Sequence, residues 1–130
     1  RVVSIGFHAG ARAPAHVVSP GPVLLAAMKE PALAKWIEHH DFAGYTPESV
    51  TDRRTFLRQV RLAQAQGWWS TAGQLDTGLT GVSIPLKDRR GRCIAAVGMT
   101  VQTVHWNMQR SVAQLLPVLQ TVAQDLRQIL

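Results

Sequence analysis

Four side chains able to ligate a metal or move a proton stand in a row at Glu38, His39, His40 and Asp41. Consecutive residues on a helix point in different directions, so the four do not converge on one ion. Histidine near a helix C-terminus is favoured by the dipole alone, and the run reads as structural. His16 and His105 stand apart from any partner in sequence, as satisfied structural histidines usually do. The single cysteine, Cys93, sits in an apolar strand pattern beside Ile94 and Ala95. That setting predicts a buried, inert thiol rather than a nucleophile with its base. No G-x-S-x-G elbow marks a serine nucleophile, and no Gly-rich loop precedes Lys-Ser or Lys-Thr as a phosphate cradle would require. With no acid/base pair indicated, an enzyme is not expected, nor is a metal or a cofactor.

What remains is the stretch from Gly67 to Leu86, GWWSTAGQLDTGLTGVSIPL. Two adjacent tryptophans are costly to leave in water, and the loop that follows is rich in glycine and almost uncharged. Two readings stand: the glycines line a concavity for a small molecule, or they only serve turns.

The elements that must position this loop follow from periodicity and punctuation. An alternating β-branched run over residues 1–9 predicts a strand. Ser19 is a candidate N-cap for a helix running through Met28, with prolines in its first turn. A second helix is predicted over residues 31–39, burying Leu33, Trp36 and Ile37. Thr51 or Asp52 caps a third, which buries Phe56, Leu57, Val60 and Ala63 and ends at Gly67. Strands follow over residues 68–72, 79–86 and 92–101, the last two joined by a hairpin at residues 87–91. The closing helix starts at Asn107 and carries an apolar stripe from Val112 through Val122 to Ile129. Pro117 should kink it. The fold class is α+β, with a sheet that is at least partly antiparallel.

A chain of 130 residues is long enough for one domain with a core and too short for two. The net charge of +6 raises nucleic-acid binding. Its carriers, Arg53, Arg54, Arg58 and Arg61 on one helix and Arg89, Arg90 and Arg92 around one turn, have no interleaved aromatics and read as solvated faces. No apolar run approaches a membrane span, and one cysteine excludes an internal disulfide, so a reducing, cytoplasmic setting without membrane contact is expected.

Five segments, in order, resemble the C-terminal part of IclR-type bacterial transcription regulators. Ala11-Arg12-Ala13-Pro14-Ala15-His16, then Ser19-Pro20-Gly21-Pro22-Val23-Leu24-Leu25-Ala26, is similar to R-x-P-x-(H/Y)…S-x-G-(R/K)-V-L-L-A. Tyr45-Thr46-Pro47…Val50-Thr51-Asp52, then Val60-Arg61…Gly67-Trp68, resembles T-P-x-T-(I/V)-T-D…V-R-x-x-G-(Y/W). Gln74-Leu75-Asp76-Thr77-Gly78-Leu79 with Val82-Ser83-Ile84-Pro85-Leu86, Asp88 through Val97, and Leu115-Leu116-Pro117-Val118-Leu119 complete the match. The resemblance is nearest to the regulators of protocatechuate and β-ketoadipate catabolism.

The resemblance implies a GAF-like antiparallel sheet with helices on its faces. It implies one effector-binding domain over residues 1–130, lacking its first strand and an upstream winged helix-turn-helix domain. It further implies a small organic-acid effector, a homodimer or homotetramer, and DNA contact only through that separate domain. Carried over by position, the ligand-binding candidates are Ser19, Pro20, Gly21, Thr71, Leu79, Gly81, Gly98 and Thr100, with Ala13 and Ile5 as apolar wall. Pro20 and Pro22 strip donors from the helix start, leaving Gly21 and Val23 to meet a carboxylate. Ser19, Thr100, His16 or Arg12 would compensate, unless Arg12 only braces its loop. The family often carries a hydroxyl or thiol at Gly81 and Gly98, so the two glycines imply a roomier pocket suited to a ring. The competing reading is a stand-alone small-molecule-binding or oligomerisation module with no DNA-linked output.

Overall fold

The computed structural model describes residues 8–130. The strand expected over residues 1–9, save its last two residues, and the wall candidate Ile5 lie outside the described residues. After a 3-10 turn at Ala15–Val17 come α1 (Pro20–Leu25), α2 (Glu30–His39) and α3 (Arg53–Gln66). Then follow β1 (Trp69–Ala72), β2 (Leu79–Lys87), β3 (Cys93–Gln102), α4 (Met108–Gln114) and α5 (Leu116–Arg127). Among the described residues three strands form an antiparallel sheet in sequence order.

Local chemistry explains most boundaries. Asp52 caps α3, its carboxylate accepting from the Thr55 amide at 2.8 Å. Gly67 ends the helix at φ 80°, a left-handed position glycine enters without penalty. Asn107 caps α4 by accepting from the Arg110 amide at 2.8 Å. Pro117 has no N–H to give, and the closing segment breaks at Leu115 into α4 and α5.

Two expectations need correction. α1 stops at Leu25 rather than reaching Met28. Ser19 makes no side-chain cap; its hydroxyl is committed elsewhere, as described below. The apolar stripe of the closing helix is buried only at Leu115, Leu116 and Leu119, whereas Val122 is 38% and Ile129 75% exposed.

Among the described residues two apolar clusters form the core. Leu25, Leu33, Ile37, Phe42, Phe56 and Val60 pack α1, α2 and α3 into one layer. Val82, Ile84, Leu115, Leu116 and Leu119 join the sheet to α4 and α5. Among the described strands β2 is the middle one, with α1 against it as well as α4 and α5. Side chains alternate along it: Val82 and Ile84 enter the α4–α5 core, and Gly81 and Ser83 face the other way. The tryptophan pair is divided by the same alternation. Trp68 packs on the α4–α5 cluster, and Trp69, the first residue of β1, stands opposite Ser83 in the register.

Candidate functional site

Between the 3-10 turn with α1 and the outer face of the sheet lies a cavity of about 260 Å³. Ala13, Val17, Val18, Ser19 and Pro20 form one wall. The loop after β1 adds Leu75 and Asp76. The sheet supplies Thr71 from β1, Leu79, Gly81 and Ser83 from β2, and Ala96, Gly98, Met99 and Thr100 from β3. The register sets Thr71 opposite Gly81, and Gly81 opposite Thr100. These neighbours therefore converge from three strands onto one patch.

Eight of the sequence candidates line this cavity: Ala13, Ser19, Pro20, Thr71, Leu79, Gly81, Gly98 and Thr100. Gly21, His16 and Arg12 do not. Gly21 turns its missing side chain towards the Ala15 carbonyl, where any Cβ would collide with backbone. Its amide donates to Val18 at 3.2 Å, so it is not available to an anion. Arg12 is exposed. Val17, Val18, Leu75, Asp76, Ser83, Ala96 and Met99 were not legible as lining residues. For Ser83 and Ala96 a signal existed in the period of two, since each stands two residues from a candidate glycine on the same strand face.

The glycines do not simply leave room. A Cβ on Gly98 would run into the Ser83 hydroxyl and reach the Val82 carbonyl at 2.8 Å. A Cβ on Gly81 would meet Ser19 Oγ at 2.9 Å. The space a side chain would occupy is taken by Ser19 and Ser83, whose buried hydroxyls are hydrogen-bonded at 2.6 Å. The pair has two O–H donors and spends one on its own bond, leaving the other for a ligand. The Thr71 hydroxyl, on a residue only 7% exposed, makes no hydrogen bond within the described residues, nor does that of Thr100. Among the described lining residues Asp76 is the one charged side chain, and its carboxylate accepts from the Gly78 amide at 2.9 Å.

His16 is 1% exposed and lies behind the wall. Its Nε2 is 2.8 Å from the Ala43 carbonyl, which can only accept, so that nitrogen carries the proton. Nδ1 is then the acceptor, and His40 Nε2 donates to it at 2.8 Å. The His40 ring stacks on Trp36 with centroids 4.1 Å apart. Burial, then the neighbouring His16 and the Arg53 guanidinium, hold the His40 pKa below its ordinary value against the pull of Asp41. The neighbouring His39 bonds the Lys35 carbonyl, so the histidine run is divided between two tasks. Among the described residues no cluster of three metal-ligating side chains forms.

A second depression, about 440 Å³, lies between the ends of α1 and α3 and the β2–β3 turn. It holds Lys87, Arg92 and Cys93 and none of the candidates. Cys93 is partly exposed there rather than buried as its sequence context predicted. The arginines brace the surface: Arg61 pairs with Glu30, Arg92 with Asp88, and Arg53 reaches the Ile37 and His40 carbonyls. No described helix is long and apolar enough to cross a membrane.

Known proteins agree with this architecture. The chain is 32% identical over 129 residues to the p-hydroxybenzoate hydroxylase transcriptional activator of Acinetobacter baylyi, covering 99% of this chain and 48% of that protein. It is 30% identical over 130 residues to the Pca operon regulatory protein of the same organism, covering 100% of this chain and 47% of the relative. The chain thus spans about half the length of the curated relatives it matches. The crystal structure of a double mutant of the PobR inducer-binding domain from Acinetobacter, in complex with 3-hydroxybenzoic acid, superposes with a TM-score of 0.92 at 31% identity. That alignment covers 100% of this chain and 74% of the other. Structures of this family share the GAF-like arrangement expected from the sequence. Residues 1–128 match the family model for the C-terminal domain of the bacterial transcriptional regulator IclR, and the chain belongs to that family.

Proposed function

We propose that the cavity binds a small hydroxylated aromatic acid, and that its occupancy is the signal the protein transmits. The observation that carries this reading is a cavity with three unspent hydroxyl donors, in a chain 31% identical along its whole length to a domain crystallised with 3-hydroxybenzoic acid. Size supports it: an apolar cavity of about 150 Å³ holds benzene, and this one, at about 260 Å³, leaves room for ring substituents.

Orientation follows from where the donors lie. The acid's carboxylate faces the Ser19–Ser83 pair with Thr71 and Thr100, whose O–H groups can donate to it. Binding shifts the balance between arrangements of a homodimer or homotetramer, and through it DNA binding by a separate N-terminal domain. Only a difference in ligand affinity between those arrangements can drive such a shift.

Thermal unfolding against 3-hydroxybenzoate, 4-hydroxybenzoate, protocatechuate, benzoate and pyruvate tests the reading. A ligand at a hundred times its Kd stabilises the native state by about 2.7 kcal/mol, a midpoint rise of several degrees. A rise with a hydroxybenzoate or protocatechuate that exceeds those with benzoate and pyruvate is expected. A rise with pyruvate alone, or with none of the five, rejects it.

A further inference from the structure

Residues 40–49, the larger part of the connection between α2 and α3, line no part of the cavity, yet both of its walls are tied to them. On one side His16, in the middle of the wall that runs from Ala13 to Pro20, donates to the Ala43 carbonyl and accepts from His40. On the other side is the loop that carries Leu75 and Asp76. Its Gly73 carbonyl accepts from the Thr46 hydroxyl at 2.5 Å, and its Gln74 carbonyl accepts from the Ser49 hydroxyl at 2.5 Å.

These hydroxyls are aimed before the loop arrives. The Tyr45 and Thr46 amides both donate to Ser49 Oγ at 3.0 Å. The Glu48 amide donates to Thr46 Oγ1 at 3.1 Å. With lone pairs occupied by backbone donors, each O–H is left to point at a loop carbonyl. The loop itself turns through Gly73 at φ 69° and closes on Gly73 N donating to the Leu79 carbonyl at 2.9 Å. Its far end is tied beside the sheet, the Leu79 amide donating to the Asp76 carbonyl at 3.1 Å and the Thr103 amide to the Gly78 carbonyl at 2.8 Å, and its near end is tied to Thr46 and Ser49.

We infer that residues 40–49 form a clasp that holds both cavity walls closed and so sets ligand affinity, with Thr46 and Ser49 as positioning residues on the loop side and His16 with His40 on the other. This rests on the ligand reading above for its affinity arm, and on the contacts alone for its mechanical arm. Occupancy is thereby coupled to the α2–α3 layer without any residue of that layer touching the ligand.

Thr46→Val and Ser49→Ala remove one hydroxyl each, and Thr46→Ser restores it. Titration with 3-hydroxybenzoate is expected to show Kd raised about tenfold in the first two and within about threefold of wild type in the third, the scale of one lost hydrogen bond. Amide hydrogen exchange on the ligand-free chain is expected to quicken at Gly73 and Leu79, and to stay unchanged at Val60 in α3 and Leu119 in α5. Unchanged Kd in both hydroxyl-free variants overturns the clasp, as does exchange that quickens equally everywhere, since that is plain loss of stability. Should the unaltered chain bind no hydroxybenzoate, the ligand reading fails, and exchange alone decides the clasp: wild-type rates at Gly73 and Leu79 in both variants would overturn it.

Discussion

One carbon added at Gly98 would drive into the Ser83 hydroxyl and the Val82 carbonyl, and a carbonyl fixed in a strand ladder cannot swing aside. Gly98→Ala is therefore expected to cost about 1–3 kcal/mol, measured by urea denaturation. Gly81→Ala meets a rotatable hydroxyl, Ser19 Oγ, and should cost clearly less; equal costs would contradict the packing described. Ser19→Ala leaves the Ser83 hydroxyl without the partner that orients it, so hydroxybenzoate affinity should fall about tenfold, read by calorimetric titration. His40 contributes a pH dependence to stability. Its folded pKa is lowered by burial first, then by His16 and Arg53, with Asp41 opposing. The unfolded chain therefore takes up that proton at a higher pH than the folded one does. Stability rises with pH through the window just below about 6.5 and levels off above it. His40→Gln keeps a donor for His16 and should flatten that rise in thermal melts between about pH 5 and 7; an unchanged slope would place its source elsewhere. The glycine candidates were legible by position, but their packing role was not, because Ser19 and Ser83 are 64 positions apart in sequence and meet only in the fold.

Elements were legible where the signal is local. Asp52 and Asn107 cap the helices they precede, and Gly67 and Pro117 end or break theirs, because each effect acts within one helical turn. Asn107→Ala should destabilise the domain by about 1 kcal/mol, read as a shifted denaturation midpoint with unchanged slope; no shift would mean that α4 is held by packing alone. Ser19 shows the opposite case. Its hydroxyl has a choice between capping α1 and bonding a distant strand, and the tertiary partner prevails. The closing stripe was legible as an apolar face, but not its cover: Val122 and Ile129 are exposed, because spacing gives a face and not what packs on it.

At the scale of the molecule, two cores hold three layers, and the cavity opens where the 3-10 turn and α1 meet the sheet. The antiparallel α+β arrangement was legible from the hairpin and the element order, and five short segments in order identified the family. The cavity's polar floor was less so, since it is assembled from three strands and a turn that only pairing brings together. Whether an aromatic acid occupies this cavity is read from amide chemical shifts of the 15N-labelled chain titrated with 3-hydroxybenzoate. Saturable shifts are expected at Ser19, Thr71, Gly81, Gly98 and Thr100, with Ala26, Gln64 and Arg92 around the second depression unmoved. Shifts centred on that second depression, or none at all at millimolar acid, would contradict that occupancy.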